Sequence, residues 1–139
     1  MKRALGSRTA SARPIVPYLE AVLARRWTAR PDEFERTRGR VAPRLVAVGD
    51  SALFAGGRVR LYAMDGINGE TVLLAYIGPS RFVWASDHIQ VVTSANIYVD
   101  DVRSTAACHR LSPLATSGPH FRVLPWAVID TLPPVIARH

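Results

Sequence analysis

The 139-residue sequence is poor in cysteine and has no long apolar run. It has one cysteine, Cys108, which excludes an intrachain disulfide and fits a reducing compartment. No apolar run approaches the roughly 20 residues that a membrane-spanning helix needs. We therefore expect a soluble protein of one domain, with no membrane partner.

No short motif for catalysis or cofactor binding occurs in the sequence. Phosphate-binding loops of the GxxxxGK[ST] or GxGxxG type are missing, although the segment 49–57 (GDSALFAGG) contains three glycines. A metal site needs three or four converging ligands, often at helical spacing or in CxxC pairs, and neither pattern is present. We therefore expect no cofactor, no metal site and no catalytic residue.

The side chains that could serve chemistry occur as Asp87-His88, Asp100-Asp101, Cys108-His109 and His120. Adjacent residues of a strand point to opposite faces, so such a pair does not readily serve one site. We interpret these residues as turn acids and surface histidines. A lone cysteine is more typical of a small buried apolar group than of a nucleophile.

Positive charge is concentrated at the start of the chain, and the formal net charge is +7. Residues 1–46 contain eleven basic and four acidic residues, whereas residues 47–139 contain seven of each. Residues 1–14 (MKRALGSRTASARP), which we call the basic arm, contain four basic residues and no acid. The arm is typical of an extended segment that orders on a polyanion or a neighbouring subunit, or of an organelle transit peptide. The alternative is a solvated basic surface that aids solubility.

The hydrophobic pattern predicts an α+β fold: one or two N-terminal helices followed by a small antiparallel β-barrel or sandwich of about six short strands. Helices are expected at 17–27, after a proline at the first helical position, and from Pro31 to about Arg40. The predicted domain spans 15–139, with helices at about 17–40, a β-rich body at about 44–130 and a proline-rich tail at 131–139. The predicted strands are 44–48, 58–64, 71–77, 81–85, 88–92, 96–100 and 121–129, with loops at 49–57 and 103–120 and a turn at 65–69.

One strand carries the clearest candidate binding surface. Arg58, Arg60 and Tyr62 alternate along 58–64 and share a face, and a symmetric turn would place Tyr76, Leu74 and Val72 opposite them. Cations next to aromatic rings are how sheet surfaces bind single-stranded nucleic acid. The alternative is that the first helix covers this face and Glu20 or Glu33 pairs with the arginines. The residues predicted to contact nucleic acid or a partner are Lys2, Arg3, Arg8, Arg13, Arg25, Arg26, Arg58, Arg60 and Tyr62.

These features predict a non-enzymatic structural subunit of a larger, nucleic-acid-containing assembly, for example the shell or connector of a viral particle. Its partners would be other protein subunits in an oligomeric assembly and the backbone of DNA or RNA, in the cytoplasm or within a virion. An alternative is a nucleic-acid-binding protein, either a ribonucleoprotein component or a regulator, that uses the basic arm and the Arg/Tyr face. A small hydrolase-type enzyme ranks last. The pattern does not distinguish DNA from RNA or from an acidic protein.

Overall fold

The computed structural model describes residues 8–26, 28–31, 33–37, 44–66, 69–90, 92 and 97–135. The chain divides into two compact units, residues 1–47 and 48–139. In chain order, the helices and strands are β1 Arg8–Ala12, α1 Val16–Ala24, α2 Glu33–Thr37, β2 Arg44–Val48, β3 Ser51–Phe54, β4 Val59–Asp65, β5 Thr71–Ile77, β6 Phe82–Trp84, α3 Ile97–Cys108, β7 Ala115–Gly118, β8 Phe121–Pro125 and α4 Trp126–Asp130.

The first unit contains two short helices and a two-stranded sheet. Strand β1, which belongs to the basic arm, pairs with β2. Helix α1 begins close to the expected position but ends at Ala24, because Arg25 takes an extended conformation with ψ 145°. Helix α2 spans 33–37, and the remainder of its predicted range, at 32 and 38–40, lies outside the described residues.

The second unit is built on one six-stranded sheet with the order β3-β4-β5-β6-β7-β8. All neighbouring pairs are antiparallel except β6 and β7, which run parallel. Helix α3 lies between these two strands in the chain, and parallel neighbours need such a crossover connection. Within the described chain the sheet is open, with β3 and β8 at its edges. The combination of this sheet with the helices confirms the coarse prediction of an α+β fold.

The β4–β5 hairpin forms as predicted, but its register is shifted by two residues from the one that a symmetric turn at 65–69 would give, because Asp65 pairs with Thr71. Arg60 pairs with Tyr76, Tyr62 with Leu74, and Met64 with Val72. The face on which these side chains lie therefore holds the main core of the unit. The buried cluster consists of Tyr62, Met64, Leu74, Val83, Ala85, Ile89, Val99, Val102 and Ile129.

Helix α3 covers this face of the sheet, so the predicted strand at 96–100 is wrong for residues 97–100, and residue 96 lies outside the described residues. Val99, Val102 and Ala106 are buried at positions i, i+3 and i+7, which is the spacing of a helix face. Asp100 lies in the first turn, where a carboxylate complements the helix dipole, and it forms an ion pair with Arg103 one turn later. Residues 97–100, which alternate in sequence, are the start of this longer helical pattern.

Four other sequence predictions are corrected by the second unit. The segment 88–92 is not a strand where it is described, because Ser86–His88 forms a 3-10 turn. The loop predicted at 49–57 contains strand β3, and the loop predicted at 103–120 contains the end of α3 and strand β7. The last strand ends at Pro125, which removes a backbone donor from the ladder, and α4 follows directly.

The turn predicted at 65–69 joins β4 to β5, and its residues 67 and 68 lie outside the described residues. None of the described helices has the length and apolar character needed to cross a membrane.

Candidate functional site

A cleft of about 310 Å³ opens in the second unit, where the sheet meets the end of helix α3. Its walls come from four parts of this unit: the turn before β4, strand β4 itself, the end of β5, and the residues that follow α3. The residues that line it are Gly57, Arg58, Arg60, Tyr62, Tyr76, Gly78, His109, Arg110 and Leu111. Arg58, Arg60 and Tyr62, which the sequence predicts on one strand face, all line this cleft, but Arg58 does so from the turn that precedes β4.

Strand β4 supplies the centre of the cleft. Arg60 and Tyr62 are two positions apart, so both side chains project from the same face of the sheet. The Arg60 Nη1 atom lies 3.5 Å from the Tyr62 hydroxyl oxygen, which accepts this long hydrogen bond. Tyr62 is only 3% exposed, so its ring belongs to the core and does not form an open stacking surface.

A tight turn before β4 places Arg58 at the rim of the cleft. Ala55, Gly56 and Gly57 all have positive φ, at 51°, 66° and 86°. Glycine adopts this conformation without steric penalty, which lets the chain reverse within three residues. The Arg58 carbonyl then accepts a hydrogen bond from the Gly78 backbone N–H at 3.0 Å, which ties the turn to the end of β5.

The third wall is the C-terminus of α3, which ends in a Schellman motif. The Leu111 N–H donates to the Ala106 carbonyl at 2.8 Å and the Arg110 N–H donates to the Ala107 carbonyl at 3.0 Å. Arg110 occupies the left-handed position of this motif, with φ 53°, where glycine is the usual residue. The backbone of Arg110 is therefore strained, and its long cationic side chain is placed at the cleft.

His109 connects the helix end to the sheet. Its ring lies against the ring of Tyr62, with centroids 4.3 Å apart and planes tilted by 35°. Its Nε2 atom lies 3.9 Å from the Asp50 carboxylate, whose side chain is 86% exposed. The imidazole is thus fixed on one side by a buried phenol and is bordered on the other by a solvated acid.

The charge of the cleft is strongly one-sided. Three guanidinium groups and an imidazole line it, and none of its lining residues is acidic. In the described part of residues 48–135, no carboxylate lies within ion-pair distance of Arg58, Arg60 or Arg110. Residues 47–139 as a whole have equal numbers of basic and acidic residues, so the cationic character is local to this cleft.

The other residues of the predicted contact set lie in the first unit. Arg8 is exposed in β1, Arg13 is exposed in the following 3-10 turn, and Arg25 is exposed after α1. Arg26 pairs with Glu35 at 3.1 Å, so its charge already has an internal partner. Lys2 and Arg3 lie outside the described residues.

Two further histidines in the described part of the second unit, His88 and His120, form pairs with aspartates. His88 Nε2 lies 3.4 Å from Asp101 Oδ2, and both side chains are buried. His120 Nε2 lies 3.2 Å from Asp87 Oδ1 at the surface. Asp87 and His88 thus pair with different residues, as expected for adjacent positions. Cys108 is exposed, so the expectation of a buried apolar cysteine is wrong.

Sequence reasoning missed His109 and Arg110 as part of the site. In the sequence His109 stands out only as a neighbour of Cys108, and the composition of 103–120 predicts a loop. The usual signal for a helix end, a glycine just after it, is absent because Arg110 takes that position. The continued helical spacing of apolar residues through Ala106 could have revealed where α3 ends.

Comparison with known proteins gives only distant structural likenesses. No protein-family profile and no curated protein matches the chain. Among solved structures, the metallo-β-lactamase DIM-1 is 10% identical, with a TM-score of 0.48 over 91% of this chain and 65% of that one. A metallo-β-lactamase from Erythrobacter litoralis is 13% identical, with a TM-score of 0.43 over 89% of this chain and 64% of that one. TMB-1 is 12% identical, with a TM-score of 0.46 over 68% of this chain and 48% of that one.

This comparison contradicts the prediction of a non-enzymatic structural subunit of a viral or other nucleic-acid-containing particle. The solved structures named above include metallo-β-lactamases, which are enzymes, and the chain spans less than two-thirds of the length of each. Identities of 10–13% and TM-scores below 0.5 carry no activity, metal or substrate over to this chain.

The donor set of this chain does not fit a metal centre where it is described. A zinc site needs three or four converging ligands. The histidines and carboxylates described above occur in pairs, and no group of three metal-ligating side chains occurs within the described ranges. We therefore derive no metal chemistry for this site.

Proposed function

We propose that the chain binds a small phosphate-bearing ligand in the cleft between β4, β5 and the end of α3. One observation carries this proposal: Arg58, Arg60 and Arg110 line one cavity and have no carboxylate partner in the described part of the second unit. Unpaired cations that share a concave site attract anions strongly, because the surrounding walls focus their field.

Phosphate fits this donor set better than a carboxylate does. A guanidinium group presents several N–H donors in a planar fork that matches two oxygens of a phosphate. A monoester has three terminal oxygens, so it can accept from more than one arginine at once. The Tyr62 hydroxyl accepts from Arg60, which leaves its own proton for donation to a ligand oxygen.

The volume of the cleft indicates the size of the ligand. Small-molecule sites span about 300–1,000 Å³, and this cleft, at about 310 Å³, is at the lower end. It therefore suits a compact ligand, for which a few charged contacts supply most of the affinity.

Several sequence predictions are separate from this site and stay predictions. They include contact of the basic arm with a polyanion or another subunit, an oligomeric state, a cytoplasmic location and organelle targeting by residues 1–14. Closure of the sheet into a barrel or a sandwich with another layer is likewise a prediction.

The proposal is tested by titrating the full chain with inorganic phosphate and following the heat of binding. The test variant is Arg60→Gln, which keeps a polar side chain of similar length and removes the charge. The matched control is Arg122→Gln, because Arg122 is exposed on β8 and does not line the cleft. Hydrogen bonds to a charged group are worth about 1.5–3 kcal/mol, so we expect Arg60→Gln to weaken binding about ten- to a hundredfold.

Arg122→Gln is expected to bind phosphate like the wild type. The affinity of the wild type should also fall as sodium chloride is raised, because exposed charges are screened. Equal losses in the two variants, or no saturable binding by the wild type at low salt, would show that the cleft is not the anion site.

A further inference from the structure

The cleft is not cationic throughout. Beside the arginines, its lining includes the aromatic residues Tyr62, Tyr76 and His109 and the aliphatic residue Leu111. Tyr62, Tyr76 and Leu111 also belong to the core cluster or pack against it. The cleft therefore has a cationic part and an apolar, largely aromatic part, and inorganic phosphate could use only the first.

The strand register places one ring directly beside one cation. Tyr76 on β5 is the cross-strand partner of Arg60 on β4. Directly opposed residues of an antiparallel pair have Cβ atoms about 4.5–5.5 Å apart, which is the right separation for two groups that contact one small ligand. Tyr76 is half-buried, in contrast to Tyr62, which is enclosed by the core.

The aromatic wall also includes a contact between the sheet and the end of α3. Tyr62 packs against His109, with ring centroids 4.3 Å apart, so the sheet and the helix end are joined at this point. The geometry points to a planar ligand group next to Tyr76, with its anionic group towards the arginines.

We infer that the ligand is a phosphate monoester that carries a planar ring, in the size range of a mononucleotide. This inference rests on the proposed anion-binding function and names the ligand class for that same site. The arginines would contact the phosphate, and Tyr76 would contact the ring. A cleft of about 310 Å³ accommodates one such molecule rather than a stretch of polymer.

The test compares three probes on the full chain by calorimetry: inorganic phosphate, ribose 5-phosphate and adenosine 5′-monophosphate. Stacking of a base on an aromatic side chain corresponds to about five- to a hundredfold in affinity. We therefore expect adenosine 5′-monophosphate to bind at least about fivefold more tightly than ribose 5-phosphate. Tyr76→Leu should remove this advantage over ribose 5-phosphate, and Tyr76→Phe should keep it.

The outcomes separate this inference from the one on which it rests. If all three probes bind with similar affinity, the anion site stands and the ring-bearing ligand is wrong. If none of them binds, both are wrong. If adenosine 5′-monophosphate binds more tightly but Tyr76→Leu keeps the full advantage while remaining folded, the assignment of Tyr76 as the ring contact is overturned.

Discussion

The rings of Tyr62 and His109 lie against each other, with centroids 4.3 Å apart, and this contact joins the middle of strand β4 to the end of helix α3. Tyr62 also accepts a hydrogen bond from Arg60 through its hydroxyl group. One buried residue thus has two separable roles. Its ring packs the helix against the sheet, and its hydroxyl group helps to position a cation in the cleft.

Replacing Tyr62 with phenylalanine separates these roles. Tyr62→Phe keeps the ring contact with His109 and removes only the hydroxyl group. We expect the free energy of unfolding to change by less than about 1 kcal/mol, because a single long hydrogen bond is lost. Phosphate affinity should fall by a few-fold, since Arg60 loses its neighbour and the ligand loses a donor. Tyr62→Ala, in contrast, should destabilise the protein by about 3–5 kcal/mol, as aromatic-to-alanine changes in a core do.

Arg110 offers a case in which stability and binding should change in opposite directions. It has φ 53° in the Schellman motif that ends α3, a position that favours glycine. Arg110→Gly relieves a left-handed conformation that costs a residue with a side chain roughly 1 kcal/mol. We expect the melting temperature to stay level or rise, while phosphate affinity falls.

The control for this variant is Arg110→Lys. Lysine keeps the charge near the helix C-terminus, where a cation is favourable, and it keeps the strained backbone. It should bind phosphate more tightly than Arg110→Gly but should not gain in stability. A glycine variant that gains stability and binds phosphate as well as the wild type would remove Arg110 from the site.

The core of the second unit is expected to depend on Leu74, which is completely buried in the centre of strand β5. Leu74→Ala should lower the free energy of unfolding by about 2–5 kcal/mol, because it loses apolar burial and leaves a cavity. Leu53→Ala is the matched control, since Leu53 is 58% exposed on the edge strand β3. Urea denaturation of both variants measures the difference, and equal effects would contradict the described core.

The two histidine–aspartate pairs should differ in their contribution to stability. His88 and Asp101 are both buried, so His88→Ala removes a packed ring and takes a partner from a buried carboxylate. We expect a loss of at least about 2 kcal/mol in the free energy of unfolding. His120→Ala breaks the exposed pair with Asp87 and should cost less than about 1 kcal/mol. Thermal or urea unfolding that ranks the two variants in the reverse order would contradict this assignment.

Strong local patterns made part of this fold predictable. The alternation of residues 58–64 and 71–77 around a short turn identified the β4–β5 hairpin, although the observed register differs from the predicted one by two residues. The same alternation placed Arg60 and Tyr62 on one face. These features depend on near neighbours along the chain, which is where the period of a strand is visible in sequence.

The rest depended on contacts that the sequence does not display. Helix α3 was missed because the segment in which it begins, 96–100, alternates in sequence, and because Arg110 rather than glycine marks its end. The parallel pairing of β6 with β7 brings together segments that are 30 residues apart in the chain. His109 and Arg110 reach the cleft only through this crossover. The residues that β4 contributes to the candidate site could therefore be predicted from the sequence, whereas those that follow α3 could not.

The most direct test of the anion-binding cleft is a titration of the isotopically labelled full chain with inorganic phosphate, followed residue by residue in amide nuclear magnetic resonance spectra. We predict saturable shifts of the backbone amides of Arg58, Arg60, His109 and Arg110, with no comparable change at Arg122 on the edge strand. Shifts that do not saturate, or that cluster away from the end of helix α3, would contradict the existence of this site.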